Sequence, residues 1–297
     1  MAAGILLGLI AAACQSLSYL FSRYFVEKYD KSAFHLLALS HCIMGIFSII
    51  LLPFILPDEM PTWKNYALPL VGSALSYLLA QGCLFLALEQ SAASRASPLL
   101  GLKILIVALI SAFFLGKSFA WPQWTAVFLS VCAAAMLNWS GGSMPLRSIL
   151  WILLACFGYA ISDLNIVSLV DQFQYLGLTH ASTVSVCLCY IFCGLVSAGV
   201  LWFLPHFSST MWTHAAPFAM AWFVGMLFLF ACFGSIGVVF GNIVQSTRGL
   251  ISILMGSYVA SAGLIHLEEK LAGHVFLRRF GAGFLMVCAI ALFYLGA

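Results

Sequence analysis

The chain has 297 residues, 64% hydrophobic and only 7% charged, with 9 Asp/Glu against 12 Lys/Arg for a net charge of +3. Soluble domains carry about 25% charged residues, so a water-exposed globular protein is excluded. So small a net charge also excludes a clustered basic face for nucleic acid.

Lipid is the environment that can cover this much apolar surface, and a crossing helix needs roughly 20 mostly apolar residues for a ~30 Å hydrocarbon layer. Charges and Pro, Asn and Gly clusters cut the sequence into runs of that size. In chain order the expected spans are 3–23, 33–56, 66–88, 95–115, 119–139, 147–169, 183–204, 212–239, 246–266 and 275–296. The first starts apolar at Ala2 without the Lys/Arg region of a secretory signal. Although "LIAAACQ" is similar to a lipoprotein cleavage box, the run continues through Phe21 and reads as a retained span. Connections such as "EKYDK", "PDEMPTWKN" and "SGGSMPLR" are short, so no soluble domain is inserted. The boundary between the eighth and ninth spans is loosely fixed, because no charge falls between Trp212 and Arg248 and "GSIGVVFGN" is rich in glycine. Solidly apolar runs, rather than ~10-residue alternating segments, exclude a transmembrane β-barrel. The ten Cys form no C-x-x-C pair. Cys187, Cys189 and Cys193 lie closest together but have no His or carboxylate nearby, so the thiols read as free packing residues, and no metal or cofactor is expected.

The chain also repeats itself. "FLSVCAAAML" from Phe128 aligns with "FLMVCAIALF" from Phe284; "LGKSF" from Leu115 matches "LEEKL" from Leu267, and "ASRA" from Ala93 matches "STRG" from Ser246. The matches are collinear, giving halves of 1–140 and 147–297 joined through "SGGSMP". An odd number of helices per half forces the second to enter the bilayer inverted. The expected fold is therefore an all-α integral membrane protein with ten transmembrane helices in two inverted five-helix repeats, an architecture that places a shared cavity between the halves of many secondary transporters.

The stretch "SAASRASPLLGLKILIVALISAFFLGKSFAWPQWTAVFLSVCAAAML", repeated as "STRGLISILMGSYVASAGLIHLEEKLAGHVFLRRFGAGFLMVCAIALF", resembles the fourth and fifth helices of the EamA branch of the drug/metabolite transporter superfamily. The usual Phe-Leu-Gly-Glu ending of the fourth helix has Lys117 in place of Glu; Glu269 occupies the counterpart position, with Glu268 where Gly is usual. The resemblance implies a ten-helix transporter whose pocket is lined mainly by helices 1, 3, 4, 6, 8 and 9. Across that family the solutes include amino acids, drugs, nucleotide sugars and other metabolites.

Charged residues inside a bilayer are costly, so each is a functional candidate by default. Lys103, in "LLGLKILIV", and Asp163, in "FGYAISDLNIV", are the two. Lys103 can bind an anionic group or change protonation; Asp163 can bind a cation or couple a proton. Alternatively the two pair and lock the halves together. At 1.5 Å rise per residue Lys103 lies roughly 10 Å and Asp163 roughly 20 Å below their helix starts, so direct contact needs a tilted helix and the full Lys side chain. Gln15, Tyr19, Gln81 and Asn165 lie on helices that the resemblance assigns to the pocket, and Tyr19, Tyr77 and Tyr159 are deep enough to stack on a solute. Arg95 and Arg248 occupy equivalent repeat positions at helix starts, where they read either as a gate or anion-selecting ring or as interface anchors. His41 reads as a packing histidine, and Trp63, Trp121, Trp124, Trp139, Trp151 and Trp212 as interface belts. Loop Lys/Arg counts favour both termini outside the cytoplasm.

The expected function is secondary transport of a small metabolite or drug-like solute by alternating access, as exporter or exchanger. The partners are the solute, the bilayer of a bacterial inner membrane and a proton or counter-solute. The protein would act as a monomer or homodimer, with no nucleic acid and no catalytic residues. No G-x-x-x-x-G-K-[ST] is present for ATP. The alternative is an intramembrane enzyme acting on a lipid or membrane-soluble substrate; against it, the sequence has no H-E-x-x-H and no G-x-S-x-G.

Overall fold

A computed structural model describes residues 1–29, 33–88, 100–138, 145–203, 208–261 and 273–296. Arg95, Trp139, Glu268 and Glu269 lie outside the described residues. The described chain is helical, with no strand. Its helices are α1 (Ala2–Tyr29), α2 (Ala33–Ile55), α3 (Trp63–Leu88), α4 (Leu102–Phe113), α5 (Trp121–Asn138) and α6 (Leu146–Gln172). After a 3-10 turn at Gln174–Leu176 follow α7 (Leu178–Phe203), α8 (Ser209–Ile236), α9 (Val238–Gln245), α10 (Arg248–Ser261) and α11 (Gly273–Leu295).

Six of these helices contain stretches long and apolar enough to cross a membrane: Ala2–Val26, Phe34–Ile55, Trp63–Leu84, Leu146–Gln172, Leu178–Phe203 and Ser209–Ile236. Leu102–Phe113 and Gly281–Leu295 are apolar but shorter. No cysteine among the described residues is joined in a disulfide.

Helix packing in lipid relies on close contact and small residues, because the tails outside are as apolar as the side chains. The most extensive pairings are α3 with α6, α1 with α8, α2 with α7 and α5 with α11. At the α2–α7 crossing, a Cβ added to Gly45 would stand 3.0 Å from Gly194 Cα and 3.1 Å from the Tyr190 carbonyl, so the two backbones touch. Phe223, Phe230, Phe233 and Phe240 fill the interior from α8 and α9 and are buried throughout.

The loosely fixed boundary after α8 resolves into a sharp break. Gly237 adopts φ +79° and ψ 160°, a region essentially reserved for glycine. It ends α8 at Ile236, three residues before the expected span limit. The eight residues that follow form α9, all of them buried. At Ser246 and Thr247 the hydrogen bonds tighten, Ser246 N–H to the Ile243 carbonyl and Thr247 N–H to the Val244 carbonyl at 3.2 Å each. Both hydroxyls also bond back to those carbonyls, Ser246 at 2.6 Å and Thr247 at 2.8 Å. Inserted side-chain bonds of this kind bend helices. The stretch between the expected eighth and ninth spans is therefore a short helix of its own, and Arg248 begins the helix that follows.

Candidate functional site

Two polar clusters lie among apolar helices, and the break between α9 and α10 connects them. In the first, Lys103 at the start of α4 reaches Asp163 of α6, Nζ to Oδ2 at 2.7 Å. Asn242 of α9 donates from Nδ2 to the same Oδ2 at 2.8 Å and to the Val238 carbonyl at 2.9 Å. Lys103 Nζ also stands 5.9 Å from the Tyr159 ring centroid, within cation–π range. A buried ion pair is tolerable only when its remaining lone pairs are satisfied, and Asn242 supplies that bond. The depths expected for straight helices placed the two charges ~10 Å apart along the normal. The structure brings them together because packing, not span length, sets how α4 lies against α6.

In the second cluster Gln15 of α1 is fully engaged. Its Oε1 accepts from Gln245 Nε2 at 2.6 Å and from an Arg248 guanidinium nitrogen at 3.0 Å, while its Nε2 points at Met226 Sδ at 3.2 Å. Ser16 Oγ donates to the Arg248 carbonyl at 3.1 Å. The Arg248 Cζ stands 5.3 Å over the Tyr19 ring, and Tyr19 meets Trp222 of α8 edge-on at 6.1 Å. Arg248 is thus held in the interior by residues of α1 and α9, not free at an interface.

Aromatic rings join the clusters. Tyr77 of α3 lies 6.3 Å from Tyr159 and accepts a 3.2 Å bond from Gln81. Trp222 donates to the Tyr190 hydroxyl at 2.8 Å. His41 stacks between Tyr77 at 5.5 Å and Tyr190 at 6.0 Å and bonds the Leu37 carbonyl through Nδ1 at 2.7 Å.

Of the expected site residues, the structure gathers Lys103, Asp163, Gln15, Tyr19, Tyr77, Gln81 and Arg248 into this assembly. Asn165 stands apart. Two positions on from Asp163, it is turned by about 200° around α6, where its amide covers Gly72 of α3 and its Nδ2 bonds the Ile161 carbonyl at 2.8 Å. Asn242 and Gln245 are more central than their place before the expected ninth helix suggested. Trp222 and Tyr190 carry no charge to draw attention; the available signal was a Trp in mid-span, far from the interface belts at helix ends.

The fold and this polar, aromatic interior define a multi-pass integral membrane protein with a site between its helices. The profile of the EamA-like transporter family matches residues 2–139. Over those residues the chain is similar to that family, consistent with the drug/metabolite transporter superfamily. A search of curated proteins gives no match. A solved structure described only as "Crystal structure of protein" is similar over 100% of this chain and 98% of that chain, with a TM-score of 0.69 at 17% identity. It shares the fold.

Proposed function

We propose that the protein is a secondary active transporter, an exporter or exchanger that moves a small metabolite or drug-like solute by alternating access between two inverted five-helix halves, 1–140 and 147–297. The observation that carries this reading is the symmetry of the packing. With α9 and α10 counted as one ninth span and α11 as the tenth, exchanging each helix of one half for its counterpart turns the α1–α8 pair into the α3–α6 pair. The α2–α7 and α5–α11 pairs each map onto themselves. These four are the most extensive pairings in the structure, which is what an in-plane two-fold axis between inverted repeats requires. Interrupted helices at the site, with Arg248 at the start of one, also fit transporter design.

Lys103 belongs to the first half and Asp163 and Asn242 to the second, so the ion pair ties the halves where they must part. Its rupture and reformation accompany the cycle, driven by the solute with a proton or counter-solute. The host is the bacterial inner membrane, and the protein works as a monomer or homodimer. Asp163 is occupied by Lys103 and Asn242, so this acid does not favour the intramembrane-enzyme reading.

The test is flux of a solute panel into proteoliposomes with and without a pH gradient, comparing wild type with Lys103→Ala and Asp163→Asn. Flux in the wild type that both variants lose is expected. Absence of any flux in the wild type would defeat the transport reading, and normal flux in both variants would remove the ion pair from the cycle.

A further inference from the structure

The two clusters differ in charge. Lys103 and Asp163 neutralise each other, and the carboxylate has a second donor in Asn242. Arg248 has no carboxylate within ion-pair distance among the described residues. Among the described residues one of its five N–H donors is used, toward Gln15 Oε1, and its charge otherwise meets the face of Tyr19. An arginine kept among apolar helices without a counter-ion is costly, and its fork geometry matches a carboxylate bidentately. Gln15 and Gln245, 1% and 7% exposed, hold each other by the 2.6 Å amide bond and fix the guanidinium from one side. On the other side Tyr19, which touches both α8 and α10, remains 38% exposed. Tyr19 meets Trp222 edge-on, and contacts through Tyr190 and His41 connect these rings to Tyr77 and Tyr159.

We propose that Arg248 is the recognition residue for an organic anion, a monocarboxylate with a planar or apolar body that lies among Tyr19, Tyr77, Tyr159 and Trp222. Lys103, which the sequence also offered for an anionic group, is committed to Asp163, and Arg95 lies outside the described residues. Asp163, the carboxylate of the neighbouring cluster, is likewise taken by Lys103 and Asn242 rather than open to an ammonium group, so the solute that fits is a net anion rather than a cation or a zwitterion. This assignment rests on the transport reading and names the solute class for the same site.

The test uses the purified full chain in detergent and four matched probes: 3-phenylpropionate, 3-phenylpropylamine, 3-phenylpropionamide and phenylalanine. Binding is followed by Tm and tryptophan fluorescence. The wild type should bind 3-phenylpropionate at least about tenfold more tightly than the other three, as expected when a charge-assisted bidentate pair is lost. Arg248→Gln should remove that preference, and Arg248→Lys should weaken it, because the ammonium keeps the charge without the fork. Should Arg248→Gln fail to fold, Gln245→Glu gives an independent answer. It seats an internal carboxylate beside Arg248 with little change of shape, so it should abolish 3-phenylpropionate binding while leaving Tm unchanged or higher. Equal binding of the amine, the amide or phenylalanine overturns the assignment, as do undiminished binding by either variant and the lack of any response to all four probes. Proteoliposome flux separates the two levels: transport of cationic or neutral solutes alone overturns the anion assignment and leaves the transporter standing, whereas no transport of any solute removes both.

Discussion

Asn242, on the eight-residue helix α9, holds Asp163 of α6 through a 2.8 Å hydrogen bond to Oδ2, the oxygen that Lys103 reaches at 2.7 Å. A break in one helix thereby completes the coordination of an ion pair between two others. The carboxylate oxygen is shared, so each donor's removal leaves the other in place and the contributions can be measured separately.

Removing one partner of the pair should cost far more than removing both. Lys103→Met leaves Asp163 uncompensated and should destabilise by about 3 kcal/mol, the low end for a buried pair because the Lys103 side chain keeps 20% of its exposure. The double variant Lys103→Met/Asp163→Leu should recover most of that loss. Unfolding in a mild detergent, compared across single and double variants, gives the coupling; additive losses would mean the pair is weaker than its geometry.

Asn242→Leu removes one donor to Oδ2 and should cost about 1 kcal/mol. Asn242→Asp puts a second carboxylate beside Asp163 in place of the donor, so repulsion adds to the lost hydrogen bond and the variant should be less stable than Asn242→Leu; comparing the two unfolding curves in detergent checks the order.

At the α2–α7 crossing Gly45→Val should separate the helices, since its first side-chain atom would meet Gly194 Cα at 3.0 Å and the Tyr190 carbonyl at 3.1 Å, both backbone atoms that cannot swing aside. The expected outcome is a strong loss of folded protein in size-exclusion profiles. Gly199→Val is the control, because nothing lies within 4 Å of its Cβ position.

Gly237→Ala tests the break itself. No atom lies within 4 Å of the added methyl group, so any effect comes from forcing φ +79° on a residue with a Cβ. Backbone strain of this kind costs of order 1–3 kcal/mol. A lowered Tm together with weaker solute binding would tie the position of α9 to the site; an unchanged Tm would show that α8 can continue through this point.

Much of this was legible in the sequence. Lys103 and Asp163 stood out because charge is expensive in lipid, and residue spacing alone located both. Whether they meet was not legible, since helical rise gives depth along a straight axis and says nothing of tilt or packing. Asn165 shows the opposite limit: it is polar, two residues from Asp163 and on the expected helix, yet the 100° turn per residue aims it at Gly72 instead. The kink at Ser246 and Thr247 arises from hydroxyls bonding back to their own helix, a choice that depends on what else those hydroxyls can reach.

By itself the sequence determined the solvent of this protein, its helical character and the two charges that lipid makes expensive, because each follows from composition and spacing along the chain. Only the tertiary structure decided that Lys103 is neutralised by Asp163 while Arg248 meets no carboxylate among the described residues, because pairing depends on how α1, α4, α6, α9 and α10 approach one another, and residues that touch there are separated by up to 233 positions in the chain.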